Sequence, residues 1–294
     1  MGLSTYKSIF WNYDLNFDKV TCLTRRVSGI KLGAQKDTRS HAMANAALIK
    51  VRDKVAYVTL NRPEKLNAIN NDMLGDLFEA FTEIRDNPDI WVVVLTGAGR
   101  AFCTGHDLVM GRNEPRGDTD DFYVFLSNLW KPVIAAVNGY CLAQGAGLVL
   151  LSDIRIASED AEFGWPQVKR GIASISGPTI LSHYIPMGAA LKILFTGEFC
   201  SAQEAYRLGM VQEVVPQDKL LERAEELARH IVDNCAPLAV QAIKESAITG
   251  MGISDFKTRV ENSRRIAIPV GQSEDSDEGL TAFAEKRKPV FKGR

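Results

Sequence analysis

Between Lys131 and Asp153 the chain reads KPVIAAVNGYCLAQGAGLVLLSD, and no other stretch limits the fold as much. Val133 to Val137 is a short, apolar, β-branched run of the kind that forms a strand buried on both faces. Asn138-Gly139 breaks it, and Gly145 and Gly147 bracket a turn into an apolar helix through Leu148, Val149, Leu150 and Leu151. Such a turn leaves backbone N–H groups bare, because the first amides of a helix have no partner inside it. They also carry the positive end of the helix dipole and can stabilise an oxygen that becomes negative during a reaction. The stretch is therefore either one half of an oxyanion hole or an ordinary strand-to-helix connection.

The flanking sequence supplies the rest of a sheet. Leu48 to Arg52 and Val55 to Leu60 surround Asp53-Lys54 and predict a β-hairpin ended by Asn61-Arg62-Pro63. Asn70 or Asn71 caps a helix that runs to about Asp86 on Met73, Leu77, Phe81 and Ile84, and Asn87-Pro88 closes it. Trp91 to Leu95 reads as a strand, Asp120 to Leu129 as a helix, and Ile154 to Ala157 and Ala161 to Phe163 as short strands. The order β, β, α, β, α, β, α implies parallel strands with crossover helices, an α/β fold. After Ile175 helices are expected at 188–195, 201–208 (Ser201 and Glu204 as a capping box), 217–233, 237–249, 253–267 and 274–286. Helices without a sheet of their own must cover the core or another subunit, which points to an oligomer.

Charge narrows the partners. The 294 residues carry 35 basic and 36 acidic side chains, a net charge of -1, so nothing draws the chain generally to nucleic acid or an anionic membrane. An anionic ligand must be held locally. No apolar run approaches the roughly 20 residues that span a bilayer. The five cysteines are odd in number, widely spaced and mostly set in apolar runs, which argues for reduced thiols in a cytoplasmic setting and against a disulfide framework or a metal site. Residues 1–45 are polar, with Arg25, Arg26, Lys31, Lys36 and Arg39, and read as a flexible N-terminal extension. Asp14, Asp18 and Asp37 argue against an organelle signal, Tyr6 against myristoylation, and Met43 offers a second start.

Two further glycine turns follow strands. Thr96 to Leu108 contains Gly97-Ala98-Gly99, but Phe102 stands where a dinucleotide fingerprint needs its third glycine and no helix opens there, so it reads as a long loop with a tight apolar centre. Phe163 to Ile172 reads as a packed turn. Turns after neighbouring parallel strands gather at one edge of the sheet, where ligands usually bind.

Together these stretches resemble the crotonase, or enoyl-CoA hydratase/isomerase, superfamily. The likeness rests on Leu60-Asn61-Arg62-Pro63 with Leu66-Asn67-Ala68, and on Val94-Leu95-Thr96-Gly97 with Ala101 to Leu108. It continues through Lys131 to Gly139, Ser152 to Ala157, Ala161 to Gly164, Phe195 to Glu198, Leu208 to Val211 and Ala282 to Pro289. The resemblance implies a spiral of ββα units over residues 46–235, a C-terminal helical region over 236–294 used for assembly, and homotrimers or dimers of trimers. It implies acyl-CoA thioesters as substrates, coenzyme A arriving as part of the substrate, and no tightly bound cofactor. Two backbone N–H groups, on His106 and Gln144, would stabilise a thioester enolate. Lys65, Leu66, Ala101, Asp107 and Leu108 match positions along the CoA arm, and Phe283 and Lys286 match positions that reach its adenine and phosphates.

The chain also departs from the family. Gln144 stands where glycine is usual, so its side chain must be accommodated. The two carboxylates with which hydratases deliver a proton at Cα and activate water at Cβ match Gly147 and Gln167, neither of which exchanges a proton. Aspartates that relatives use instead fall near Ser174 and Ile175. Candidates for a replacement acid or base are the His106 ring, Cys103, Glu114, Asp118, Asp120, Asp121, Tyr140 and Lys169. Gly147 is expected to leave room for an exogenous anion or for a bulkier acyl group. The expectation is an acyl-CoA enzyme working on a non-standard acyl group; the alternative is a silent acyl-CoA-binding homologue.

Overall fold

The computed structural model of the chain describes residues 45–108 and 119–294. Strands β1 (Ala47–Arg52) and β2 (Val55–Leu60) form the expected antiparallel hairpin. Helix α1 (Asn71–Asp86) follows, and the Asn70 side chain caps it by accepting from the Met73 N–H. Next come β3 (Val92–Gly97), β4 (Ala101–Cys103) and α2 (Thr119–Ser127), then β5 (Val133–Val137), β6 (Tyr140–Leu142) and α3 (Gln144–Leu150), then β7 (Ile154–Ser158) and β8 (Glu162–Gly164). A 3-10 turn at Pro166–Arg170 and a π-helical turn at Gly177–Leu181 lead into α4 (Ser182–Tyr184) and α5 (Met187–Thr196). The chain continues through β9 (Cys200–Ser201), α6 (Ala202–Leu208), β10 (Glu213–Val215), α7 (Leu220–Asn234), α8 (Pro237–Gly250), α9 (Phe256–Val270) and α10 (Glu274–Glu285).

Two sheets result. One has six strands in the order β1-β2-β3-β5-β7-β10, parallel beyond the hairpin; the other has four in the order β4-β6-β8-β9. Three parallel strands of the first sheet hand over within a few residues to short strands of the second, β3 to β4, β5 to β6 and β7 to β8. This is the spiral of ββα units, and it corrects two readings. Residues 97–108 are not one long loop, since β4 lies within them, and β6 had no counterpart in the sequence reading. Gly139 permits the second hand-over, because a Cβ there would meet the Arg100 carbonyl oxygen at 2.2 Å.

Strands buried on both faces explain the apolar runs. Val93 and Leu95 of β3 face the main core with Phe81, Phe102, Phe122 and Phe163, whereas Val92 and Val94 face α7 through Leu220, Ala224 and Ala228. Asp153 ties the C-terminal helices to this frame: its carboxylate accepts from the Val133 N–H at 2.8 Å and pairs with Lys244 of α8 at 2.6 Å. Ser201 caps α6 through the Glu204 N–H, but the Glu204 carboxylate is held by Arg207, so the reciprocal half of a capping box is replaced by an ion pair. No helix among the described residues is long and apolar enough to cross a membrane.

Candidate active site

The His106 corner is built by the two sequence motifs around Asn67 and Gly105. Asn67 is fully buried; its Nδ2 donates to the carbonyls of Ala98 at 2.9 Å and Ala101 at 2.8 Å, and its Oδ1 accepts from the Arg62 N–H at 2.9 Å. Arg62 in turn reaches Asp107 at 3.1 Å. The Ile69 N–H donates to Gly105 O at 2.8 Å and the Asp107 N–H to Ile69 O at 2.9 Å, one rung of a parallel ladder. Amides alternate sides along such a rung, so the His106 N–H faces away from Ile69. It donates to Gln144 Oε1, 3.4 Å away.

Gln144 is the first residue of α3, and its own N–H has no hydrogen-bond partner among the described residues. The turn before it is fixed by Ala143, whose φ of 53° is costly for a residue with a side chain. Ala143 is held there from both sides, its N–H donating to Gly164 O at 2.8 Å and its carbonyl accepting from the Gly147 N–H at 3.1 Å. A Cβ on Gly105 would lie 3.0 Å from Gln144 Oε1 and 3.4 Å from Gln144 N. The nearest atom to that Cβ would be Ala143 Cβ at 2.8 Å, so Gly105 lets the His106 turn pack closely against the start of α3, with Gln144 Oε1 between the two amides.

Gly147 does not leave the expected room. A Cβ there would lie 2.4 Å from the Tyr123 hydroxyl oxygen, 2.7 Å from its Cζ and 3.3 Å from the Ser176 Cβ. The ring of Tyr123, buried on α2, fills the place of the missing carboxylate, so neither an exogenous anion nor a larger acyl group has that volume. The Tyr123 hydroxyl donates to the Gln144 carbonyl at 2.7 Å. Burial, with Cys103, Asp120 and Cys141 nearby, pushes the phenol well above its ordinary pKa, and only Ser176 opposes this. Tyr123 was not singled out from the sequence. The available signal was a polar-tipped ring between Phe122 and Leu126 on the apolar face of a helix, which must find a buried partner.

Gln167 sits in the 3-10 turn, its Nε2 donating weakly to Ser174 Oγ at 3.4 Å. Its Oε1 is buried without a hydrogen-bond partner among the described residues, a deficit of about 1–3 kcal/mol that a water or ligand donor would relieve. Ser174 Oγ also accepts from the Gly177 N–H at 3.0 Å, and Ser176 Oγ from Trp165 Nε1 at 3.2 Å, so residues 174–177 join the Gln167 side to the Gly147 side.

The other candidates divide clearly. Cys103 is fully buried, its thiol pushed up to about 12 by burial, and at neutral pH it neither gives nor takes a proton. The His106 ring nitrogen Nε2 lies 3.3 Å from Thr119 Oγ1. Lys169, Asp121 and Ile175 are exposed, and the half-buried Tyr140 ring packs 6.3 Å from that of Phe199. Asp120 is half-buried in the first turn of α2, and Glu114 and Asp118 lie outside the described residues. Among the positions matched to the CoA arm, Lys65 is exposed, Leu66 accepts from the Thr104 N–H at 3.2 Å, Ala101 is fully buried and Leu108 is exposed. Lys286 ends α10 in a left-handed conformation, and Phe283 on that helix is 85% exposed.

Known proteins share this architecture. The family model for enoyl-CoA hydratase/isomerase matches residues 50–294. An (E)-benzylidenesuccinyl-CoA hydratase of Thauera aromatica is 40% identical over 255 residues, 83% of this chain and 98% of that protein. A short-chain-enoyl-CoA hydratase of Clostridium acetobutylicum is 37% identical over 260 residues, covering 85% and 99% respectively. The crystal structure of an enoyl-CoA hydratase/isomerase from Mycobacterium paratuberculosis superposes with a TM-score of 0.78 at 34% identity, covering 85% of this chain and 99% of that one.

Proposed function

Because the chain belongs to the enoyl-CoA hydratase/isomerase family, we propose that it polarises the thioester carbonyl of an acyl-CoA with the backbone N–H groups of His106 and Gln144. The observation that carries this reading is the close packing of those two amides about Gln144 Oε1, allowed by Gly105 and set by the strained turn at Ala143. Fixed N–H donors in a partly buried corner stabilise a developing enolate oxygen without reorganising at the moment of reaction. The thioester oxygen displaces Gln144 Oε1 from the His106 N–H as it enters. Lys65 and Leu66 lie along the CoA arm, and Phe283 and Lys286 meet the CoA of a neighbouring copy in a trimer.

The acyl group is not a simple short chain. Gly147, closed by the Tyr123 ring, and Gln167 replace two carboxylates, so the acyl pocket is lined by neutral hydroxyl and amide groups. Such a lining tolerates a polar or aryl acyl group that paired carboxylates would repel. The name of the Thauera aromatica relative, with an aryl, succinate-derived acyl group, supports this direction. A second reading, a silent acyl-CoA-binding homologue, draws on the same missing carboxylates and on the Gln144 side chain occupying the His106 N–H.

One experiment separates them. The purified protein is incubated with crotonyl-CoA, cinnamoyl-CoA and carboxyl-bearing enoyl-CoAs, binding is measured by calorimetry and products by mass spectrometry. Addition of 18 mass units to an aryl or carboxylated member, with little on crotonyl-CoA, is the expected result. Binding throughout without turnover leaves the silent homologue, and no binding removes both.

A further inference from the structure

The chain has lost the side chains that usually move the proton at Cα, yet the corner where that proton is needed is not empty. We propose that the Tyr123 hydroxyl is the group that delivers the proton to Cα of the thioester enolate. Three observations converge on it. The hydroxyl oxygen stands 2.4 Å from where a Cβ of residue 147 would be, the root of the missing acid. It donates to the carbonyl of Gln144, the residue whose N–H borders the proposed oxyanion space. The Ser176 Cβ lies 3.3 Å from the same point, and its hydroxyl can donate to the oxygen when it turns negative.

Two of the nearby groups do not compete with it: the Cys103 thiol is held in its protonated form by burial, and Gln167 cannot ionise. The charged and titratable groups facing Tyr123 are Asp120 on its own helix, Cys103 on β4 and Cys141 on β6; all three oppose ionisation, and the Ser176 hydroxyl favours it. The phenol therefore rests protonated, as a donor must.

In the step, the Tyr123 O–H bond breaks as a C–H bond forms at Cα, and the enolate pair moves into that bond as the thioester carbonyl is restored. The water that adds its oxygen to Cβ gives up one proton, which returns to the phenolate oxygen, so the sum is one water across the double bond. The buried, unpartnered Oε1 of Gln167 can hold that water by accepting one of its hydrogens.

The inference rests on the acyl-CoA reading above, and its test keeps the two apart. Phenylacetyl-CoA and butyryl-CoA are held with the protein in D2O; binding is followed by calorimetry and hydrogen–deuterium exchange at Cα by NMR. Exchange is the same proton transfer run in both directions. The expected result is exchange that speeds up with pH, a loss of about 100-fold or more in Tyr123→Phe with binding retained, and a pH curve moved to lower pH when 3-fluorotyrosine replaces Tyr123. The fluorinated ring keeps the shape and the hydrogen bond, so a purely structural role would leave the curve in place. Exchange within threefold of the parent in Tyr123→Phe, an unmoved curve, or binding without exchange overturns the Tyr123 assignment and leaves the acyl-CoA reading standing. Absence of binding overturns both.

Discussion

The side-chain oxygen of Gln144 accepts the hydrogen bond of the His106 backbone amide at 3.4 Å, so one half of the candidate oxyanion hole is satisfied by the residue that supplies the other half. A buried N–H left without a partner costs about 1–3 kcal/mol, and this contact removes that penalty while the site holds no thioester. The incoming carbonyl must replace it.

Removing the internal competitor is expected to strengthen thioester binding. In Gln144→Gly the backbone amide is retained and the side chain no longer competes for His106. A net hydrogen bond of about 0.5–1.5 kcal/mol converts to roughly 2- to 10-fold tighter binding of an acyl-CoA, measured by calorimetry. Unchanged or weaker binding would mean that the side chain does not stand in the thioester's way.

Gly147 is held small by Tyr123. Alanine is the better helix former by about 1 kcal/mol, but its Cβ would press on the hydroxyl and Cζ of a rigid ring. Overpacking of this kind costs about 1–3 kcal/mol, and Gly147→Ala is expected to lower Tm by several degrees. Adding Tyr123→Ala should recover part of that loss, a non-additivity read from a double-mutant cycle. By the same clash, Gly147→Glu with Gln167→Glu is expected to gain no crotonyl-CoA hydration on its own. Crotonase-like activity should appear only when Tyr123 is shortened in the same protein.

The C-terminal tail carries an acid-sensitive tether. Glu278 accepts from Arg287 and from the Val290 N–H, which hold its carboxyl down at about 2 from an ordinary 4.5. A depressed folded pKa means that this contribution is fully present above about 4.5 and is lost as pH falls toward about 2. Amide exchange at Val290 should therefore accelerate, relative to the core strands, across that window. Glu278→Gln should show the faster exchange already at neutral pH and no acid step; an acid step that survives the substitution would place the tether elsewhere.

Much of this protein is written locally. The hairpin, the Asn70 cap of α1, the apolar strands β3, β5 and β7 and the helices after Met187 follow from periodicity and capping, which act within a few residues. The motif spacings that mark the family also lie along the chain, and Asn67 shows why: its side chain stitches Arg62, Ala98 and Ala101 into one turn. The backbone turns at the candidate corner are only half legible in this way: Gly105 marks the one before His106, whereas the one before Gln144 falls on Ala143, and Gly145 and Gly147 lie inside α3 rather than bracketing the turn.

What the sequence could not display is where side chains from separate units of the spiral meet. Gly147 reads as vacant space when its neighbours are only Ala146 and Leu148, and it becomes a filled site because α2 lays Tyr123 against α3 from 24 positions earlier. The rotamer that sends Gln144 back to His106, and the burial that leaves Gln167 Oε1 without a partner, have the same origin. Backbone geometry answers to nearest neighbours and is encoded step by step. The occupation of a cavity is decided by packing between elements distant in the chain, and only the folded arrangement fixes it.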